Sequence, residues 1–523
     1  MKSFLQRFAG LVLGVLSGFD RLVFRGKLCS LYAPEGMNIY LAANHVLRKE
    51  FEEHTAGVTK KVLQASLIEY AKKRDRYAYL NSAKIDKDEV ARGYARQHGV
   101  TEGLVCVLQC IEPCWSYTLD SKKMEHGARM LTVQGKPRKC SHLYHYYVHP
   151  QFGWMYVRLQ TWFPFEMQVY VNGREWLARE MDKEGLKYQR GDNKILWVAD
   201  WQRAQQLMDE QLRTNWPTVL GALQREVHPL HPGHLGKMPL AYNWTTHQSE
   251  WATDVAFAAR AELQRWMSRW QRQALNYDSA AVLRFFGRTG RVYGNSPLAV
   301  ETEWKRFYEG LRIKHWVNSN SLKLYDYLNV ARVEATINDP DFFKVYRASQ
   351  SDPEGPLDWR VMRRSVADLY RRAEVSQKMN ERYLEGMAAV KETRQVKELV
   401  KPLCMPVWEP GKNKERKVRA LNPWAQEDSA LLLAISDPQW MVAGIRNRDL
   451  VAILYQEATT DAQEKRRRSA RVTRLIRILR GHGLLHKVPK THRYQIGPDA
   501  RTTILAFLAA GNANPEELTK KAA

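Results

Sequence analysis

Cysteine is scarce, six in 523 residues. That excludes a disulfide-stapled scaffold and makes a reducing, cytoplasmic setting the expectation. Long hydrophobic runs are also missing. The nearest, residues 4–19, is interrupted by Arg7, closed by Asp20 and Arg21 and followed by no small-residue cleavage site. It is too short for a bilayer and reads as a buried amphipathic helix, so neither a signal nor a membrane anchor is expected. No Cys-x-x-Cys is present, which removes the common zinc frameworks. The glycine loop starting at Gly287 lacks the Lys-Ser/Thr of a P-loop, and no Gly-x-Ser-x-Gly elbow occurs, so an ATPase and an esterase are set aside. Internal repeats are absent.

What is present is an ordinary globular balance, 44% apolar and 26% charged, with a large positive excess. Lys plus Arg number 81 against 56 Asp plus Glu, a net charge of +25. Such a chain favours a polyanionic partner, nucleic acid before a membrane surface. Seventeen Trp and 24 Tyr supply planar groups for packing or stacking.

Patterning divides the chain. Residues 1–228 read as a mixed α/β domain, with strand-rich texture from 104 to 173 and one long helix over 200–227. A Pro/Gly/His-rich hinge leads to a second α/β block, 240–350, in which 254–275 reads as helix and 311–317, 321–325 and 330–337 as strands. A helical connector spans 353–420, and a compact unit spans 422–511. The expected class is α+β and multidomain.

The final unit runs helix, short strand, helix, helix, hairpin. Asn447 is placed to cap the second helix. In the third, Val472, Leu475, Ile476 and Leu479 recur at helical spacing, and no acid occurs from Lys465 to Leu485. Between Arg446 and Ala523 lie sixteen basic and seven acidic residues. This segment resembles winged helix-turn-helix DNA-binding domains. The resemblance implies Arg467, Arg471, Arg474 and Arg477 on a groove-facing helix, and Lys487, Lys490 and Arg493 on a wing that meets the backbone. DNA is the preferred partner, and a homodimer follows by fold analogy.

The hairpin expected over 315–337 is the sharpest internal feature. Period-two alternation sets Lys323, Tyr325, Arg332 and Glu334 on one pleated face. It is similar to the paired strands of plasmid rolling-circle replication initiators, at Ser321, Tyr325, Asp326, Arg332 and Glu334, although the lysine expected after Asp326 is Tyr327. The resemblance implies Tyr325 as nucleophile toward a phosphodiester, with Asp326 and Glu334 holding Mg2+ or Mn2+ and Lys323 or Arg332 on phosphate. A ribonuclease H-like transposase would instead join Asp20 to Asp326 and Glu334 around the metal. Amphipathic cross-strand ion pairing accounts for the same alternation with no metal and no cofactor.

Cys106, Cys110 and Cys114 are evenly spaced on one expected strand, too far apart to share an ion. His142, Tyr144, His145, Tyr147 and His149 read as aromatic sheet packing, 161–165 as core, and His228, His231 and His234 as hinge. As a whole the chain resembles a bacterial protein family that brings no activity to carry over. The leading expectation is a DNA-binding protein of a mobile-element or plasmid-replication type, extending to a DNA endonuclease or transposase. The alternative is a non-catalytic transcriptional regulator or RNA-binding protein using the C-terminal unit.

Overall fold

The structure, a computed structural model, describes residues 1–123, 129–230, 240–288, 300–307, 310–349, 351–389, 400–409, 415–436, 444–455, 459–488, 491–496 and 500–512, with the single positions 127, 238, 440 and 457. The chain divides into two units, Met1–Val390 and Lys391–Ala523. Helices and a large sheet together make the class α+β.

The first unit opens with α1 (Lys2–Arg7) and β1 (Val12–Leu28). Helices α2 (Pro34–Ala43), α3 (Phe51–Ala65) and α4 (Ile68–Lys72) lead to β2 (Tyr77–Leu80) and α5 (Lys87–Gln97). Strands β3 (Gly103–Lys123), β4 (Arg129–His149), β5 (Gly153–Gln160) and β6 (Met167–Asn172) follow. Next come α6 (Gly173–Lys183), the hairpin β7 (Tyr188–Gly191) and β8 (Lys194–Val198), then α7 (Trp201–Glu210) and α8 (Trp216–Val227). After β9 (Tyr242–Phe257) stand α9 (Arg260–Leu275) and α10 (Ser279–Phe285). Strands β10 (Val300–Arg306), β11 (Leu311–Val317), β12 (Asn320–Tyr327) and β13 (Val330–Ile337) precede the ribbon β14 (Lys344–Arg347) and β15 (Asp358–Val361). Helix α11 (Leu369–Ala388) closes the unit.

Eleven strands form one sheet in the order β10-β11-β12-β13-β9-β1-β6-β5-β4-β3-β2, antiparallel except for β2 beside β3. This corrects the expected division at 228. Strand β9 lies between β13 and β1, so residues on both sides of the supposed hinge share one ladder. The expected connector is corrected too. Helix α11 buries Met379, Tyr383 and Met387 in a core shared with Val255, Leu324 and Val333. Its Asn380 donates to the carbonyls of Trp251 and Val333 at 3.1 Å, so the helix belongs to the sheet rather than to a linker. His231 and His234, and most of the Gly287 loop, lie outside the described residues.

Three local expectations change for identifiable reasons. Residues 12–19 belong to the strand Val12–Leu28, not to the end of a helix. Gly14 and Gly18 are poor helix residues, and a β-carbon there would stand 2.1 Å from Trp201 and 2.2 Å from Met208, so their bareness lets α7 lie against the strand. The helix expected over 200–227 breaks between α7 and α8, where Pro217 donates no amide hydrogen and the Asn215 side chain accepts from Thr218 at 3.3 Å. Residues 254–257 finish β9, and helix begins only at Arg260.

The aromatic readings over 142–165 hold. His145 is fully buried, bonded to the Ser66 hydroxyl at 2.7 Å and lowered by burial to a pKa of about 4. Phe163 and Phe165 are core, and His228 packs beside Phe165 with its Nδ1 3.0 Å from the Tyr242 hydroxyl. Cys106 and Cys110 are buried against α5, whereas Cys114 is bridged to Cys140 on β4, a pair the cysteine count gave no reason to expect.

The second unit contains β16 (Val407–Glu409), β17 (Arg416–Val418), α12 (Gln426–Ser436), α13 (Asn447–Leu454) and α14 (Ala462–Gly481). A hairpin of β18 (Leu485–Lys487) and β19 (Tyr494–Ile496) and helix α15 (Ala500–Asn512) follow. The unit thus begins before 422, since β16 and β17 belong to it. Ile445 bridges Tyr494, adding a third extended segment to the hairpin.

Candidate functional site

Strand β13 is buried on both faces, which forces its alternation to sort two environments. Ala331, Val333, Ala335 and Ile337 join the core beneath α9 and α11. Arg332, Glu334 and Thr336 face the other way, onto a side closed by α6 and the β7–β8 hairpin. Cross-strand register adds Lys323 opposite Glu334, Tyr325 opposite Arg332, Asp254 opposite Arg332 and Glu250 opposite Thr336. A bulge between Phe19 and Arg21 leaves Asp20 without a register partner and carries it into the same space.

The result is a buried ionic cluster. Arg332 is bidentate to Asp254, at 2.5 and 2.8 Å, and reaches Asp20 at 2.9 Å and the Asn193 carbonyl at 2.8 Å. Asn193 donates to Asp20 at 2.6 Å. Arg174, at the start of α6, pairs with Asp254 at 3.2 Å. Lys323 is ion-paired to Glu334 and lies 3.6 Å from Glu250, and Glu250 meets the half-exposed Arg21 at 3.7 Å. Burial alone raises the Glu334 carboxyl, but Lys323 and Arg332 outweigh it and hold the group at about 2. Glu250 moves up, from burial first and then from its neighbour Glu334.

The expected catalytic set is therefore only partly assembled. Asp20 and Glu334 do converge, with Glu250 as the third carboxylate, all three offering oxygens within 4.8 Å of one another. Asp326 does not join them, which corrects its placement beside Glu334. It is the even-numbered neighbour of Tyr325 on a pleated strand, so it faces the α9 side, where Gln264 donates to it at 2.5 Å. Tyr325 donates to Glu334 at 3.0 Å, and burial followed by that carboxylate raises its phenol well above the ordinary value, the reverse of what activates a nucleophile. Lys323 and Arg332 are held by carboxylates rather than turned toward an incoming phosphate.

A divalent ion fits this set poorly. Four carboxylates (Asp20, Glu250, Asp254, Glu334) face four cations (Arg21, Arg174, Lys323, Arg332) through linked ion pairs, so the charges already balance. Both Glu334 oxygens and one Asp20 oxygen are engaged. An added ion would displace these bonds and leave charge uncompensated in a buried space.

The second candidate surface is α14. Val472, Leu475, Ile476 and Leu479 are all buried, as their spacing requires. Asp461 caps the helix, accepting from Gln463 at 3.0 Å. Asn447 caps nothing: it is the first residue of α13, after Arg446, and its side chain ties α13 to α14 by donating to Ser469 and Thr473 at 3.0 and 2.9 Å. On the outward face Arg474 and Arg477 are exposed with no ion-pair partner among the described residues. Arg467 pairs with Glu464 at 3.0 Å and Arg471 with Glu427 at 2.6 Å, so both are partly neutralised. Lys487 is exposed on the hairpin, Arg493 turns toward the Gly444 carbonyl at 3.4 Å, and Lys490 lies outside the described residues. No described helix is long and apolar enough to cross a membrane.

Comparison with known protein families, with characterised proteins and with solved structures returns no match to this chain.

Sequence reasoning missed Glu250, Asp254 and Arg174. The signal for the first two was present, since Glu250, Ala252 and Asp254 alternate. Reading helix from 254 concealed it.

Proposed function

We propose that this chain is a DNA-binding protein whose second unit is a winged helix-turn-helix, with α14 entering the major groove and the β18–β19 hairpin lying along the backbone. One observation carries the reading: α14 buries a single apolar stripe and turns Arg474 and Arg477 outward with no acid opposing them among the described residues. Guanidinium groups so placed bind phosphates and guanine edges. Helix α13 is tied to α14 through Asn447, and the bridge from Ile445 to Tyr494 ties the hairpin to the segment before α13. In this reading the ionic cluster of the first unit is structural. It fastens β1, β9, β12 and β13 to α6 and the β7–β8 hairpin, and DNA cleavage through Tyr325 is not part of the proposal.

The test is fluorescence anisotropy of the full chain with duplex DNA over a series of salt concentrations. The double substitution Arg474→Ala/Arg477→Ala should weaken binding and flatten the plot of log K against log salt by about 0.9 for each phosphate that is no longer neutralised. An unchanged slope and affinity refutes the assignment. A double-stranded RNA bound more tightly than DNA of equal length selects the RNA-binding alternative.

A further inference from the structure

The first unit carries a second basic surface, remote in sequence from α14. A cavity of about 630 Å³ opens between α10, α11 and the β14–β15 ribbon. Six cations line it, Arg284, Arg288, Lys344, Arg371, Lys378 and Arg382, against one acid, Glu374. Among the described residues all of these cations but Arg371 lack a carboxylate within ion-pair distance. Arg288 and Arg382 donate instead to the carbonyls of Phe342 and Phe285. Arg371, also on the wall, is neutralised by Asp368 at 2.7 Å.

Two large rings stand at the mouth. Tyr346 and Trp359 are cross-strand partners on the ribbon, their centroids 5.8 Å apart. They are 57% and 62% exposed, which leaves their ring faces in water. Large aromatics side by side on a surface forfeit burial energy unless something covers them. The ribbon behind them is crowded with positive charge. Burial first, then Arg363, Arg371 and Arg360, push the Arg347 guanidinium down, with Asp368 opposing.

A strong excess of cations over acid, six to the single Glu374, beside exposed rings is what a single nucleic-acid strand requires: phosphates meet the charges and unpaired bases lie on the rings. A duplex would not serve, because its bases are already stacked on one another. We infer that this cavity is a single-stranded nucleic-acid site, in which Trp359 and Tyr346 receive bases while Lys344, Lys378 and Arg284 track the backbone. The site is independent of the duplex surface on α14.

The experiment measures binding of the full chain to a labelled oligo-dT of about a dozen nucleotides, a length that spans one such site. Trp359→Ala and the pair Lys344→Glu/Lys378→Glu should each lower single-strand affinity about tenfold. Duplex affinity should hold, and Arg474→Ala/Arg477→Ala should show the opposite pattern. All these side chains except the Trp359 ring edge toward Tyr346 are solvent-facing, so an unchanged unfolding midpoint accompanies the expected loss. Wild-type affinity in both variants overturns the site. Equal loss toward duplex and single strand also overturns it, since that marks a general charge effect. Unlabelled dTTP competing as well as the oligonucleotide overturns a strand as the ligand, and polyglutamate doing so overturns the role of the bases.

Discussion

Arg332 is the residue on which the structural reading of the ionic cluster depends. Its guanidinium is 1% exposed and joins Asp254, Asp20 and the Asn193 carbonyl across three strands and a hairpin. Arg332→Met keeps the volume and removes the charge, leaving two buried carboxylates short of a partner. Breaking a buried pair on one side costs about 3–5 kcal/mol. A unit of 390 residues loses roughly 0.8 kcal/mol per kelvin of entropy at its midpoint, so the melting temperature should fall by about 4–6 °C. Differential scanning calorimetry of the full chain reads this as a shift of the first unit's transition alone. Arg332→Lys should fall between, because an ammonium reaches one carboxylate where the planar fork reaches two. Adding Asp254→Leu to Arg332→Met should recover part of the loss, and millimolar Mg2+ should recover none. A midpoint within about 1 °C of wild type refutes the structural role, and so does recovery by Mg2+, which would make the carboxylates a metal site after all.

Two further substitutions test neighbouring claims. Gly14→Ala should destabilise by about 1–3 kcal/mol in urea unfolding, because the new methyl meets the Trp201 ring; in a helix the same change would stabilise by about 1 kcal/mol, so a gain would return residues 12–19 to helix. Glu334 and Glu250 should respond to pH with opposite signs. Glu334, held at about 2 against an ordinary value near 4.3, stabilises above the ordinary value and loses that contribution as pH falls from there through 2. Glu250, raised in the fold, relieves its burial as it protonates, so stability gains as pH falls through its raised value. At neutral pH Glu334→Gln should therefore destabilise and Glu250→Gln should be close to neutral, and thermal melts giving the reverse order would refute the assignment.

Much of the local structure was legible along the chain. The strands from 104 to 173, the hairpin over 311–337 and the apolar stripe of α14 all followed from alternation or helical spacing, which report burial directly. The errors fall where tertiary neighbours override propensity. Residues 12–19 have the hydrophobicity of a helix, yet the bare backbone at Gly14 and Gly18 is used by Trp201 and Met208. The hinge region separates nothing, because β9 returns to the middle of the sheet after it, and no local pattern encodes which strand a segment will join. The candidate site was half legible for the same reason: Glu334 and Asp20 stood out, but Glu250 and Arg174 gain meaning only once β9 and α6 are in place.

By itself, then, the sequence determined the periodicities, the α+β class and the concentration of positive charge on one C-terminal helix, since each depends on residues near in the chain. The tertiary structure decided that Asp20, Glu250, Asp254 and Glu334 share one buried space with an equal number of cations, and that Asp326 faces away from it. Pairing between distant strands sets those neighbours, and the pleat sends adjacent residues to opposite sides of the sheet.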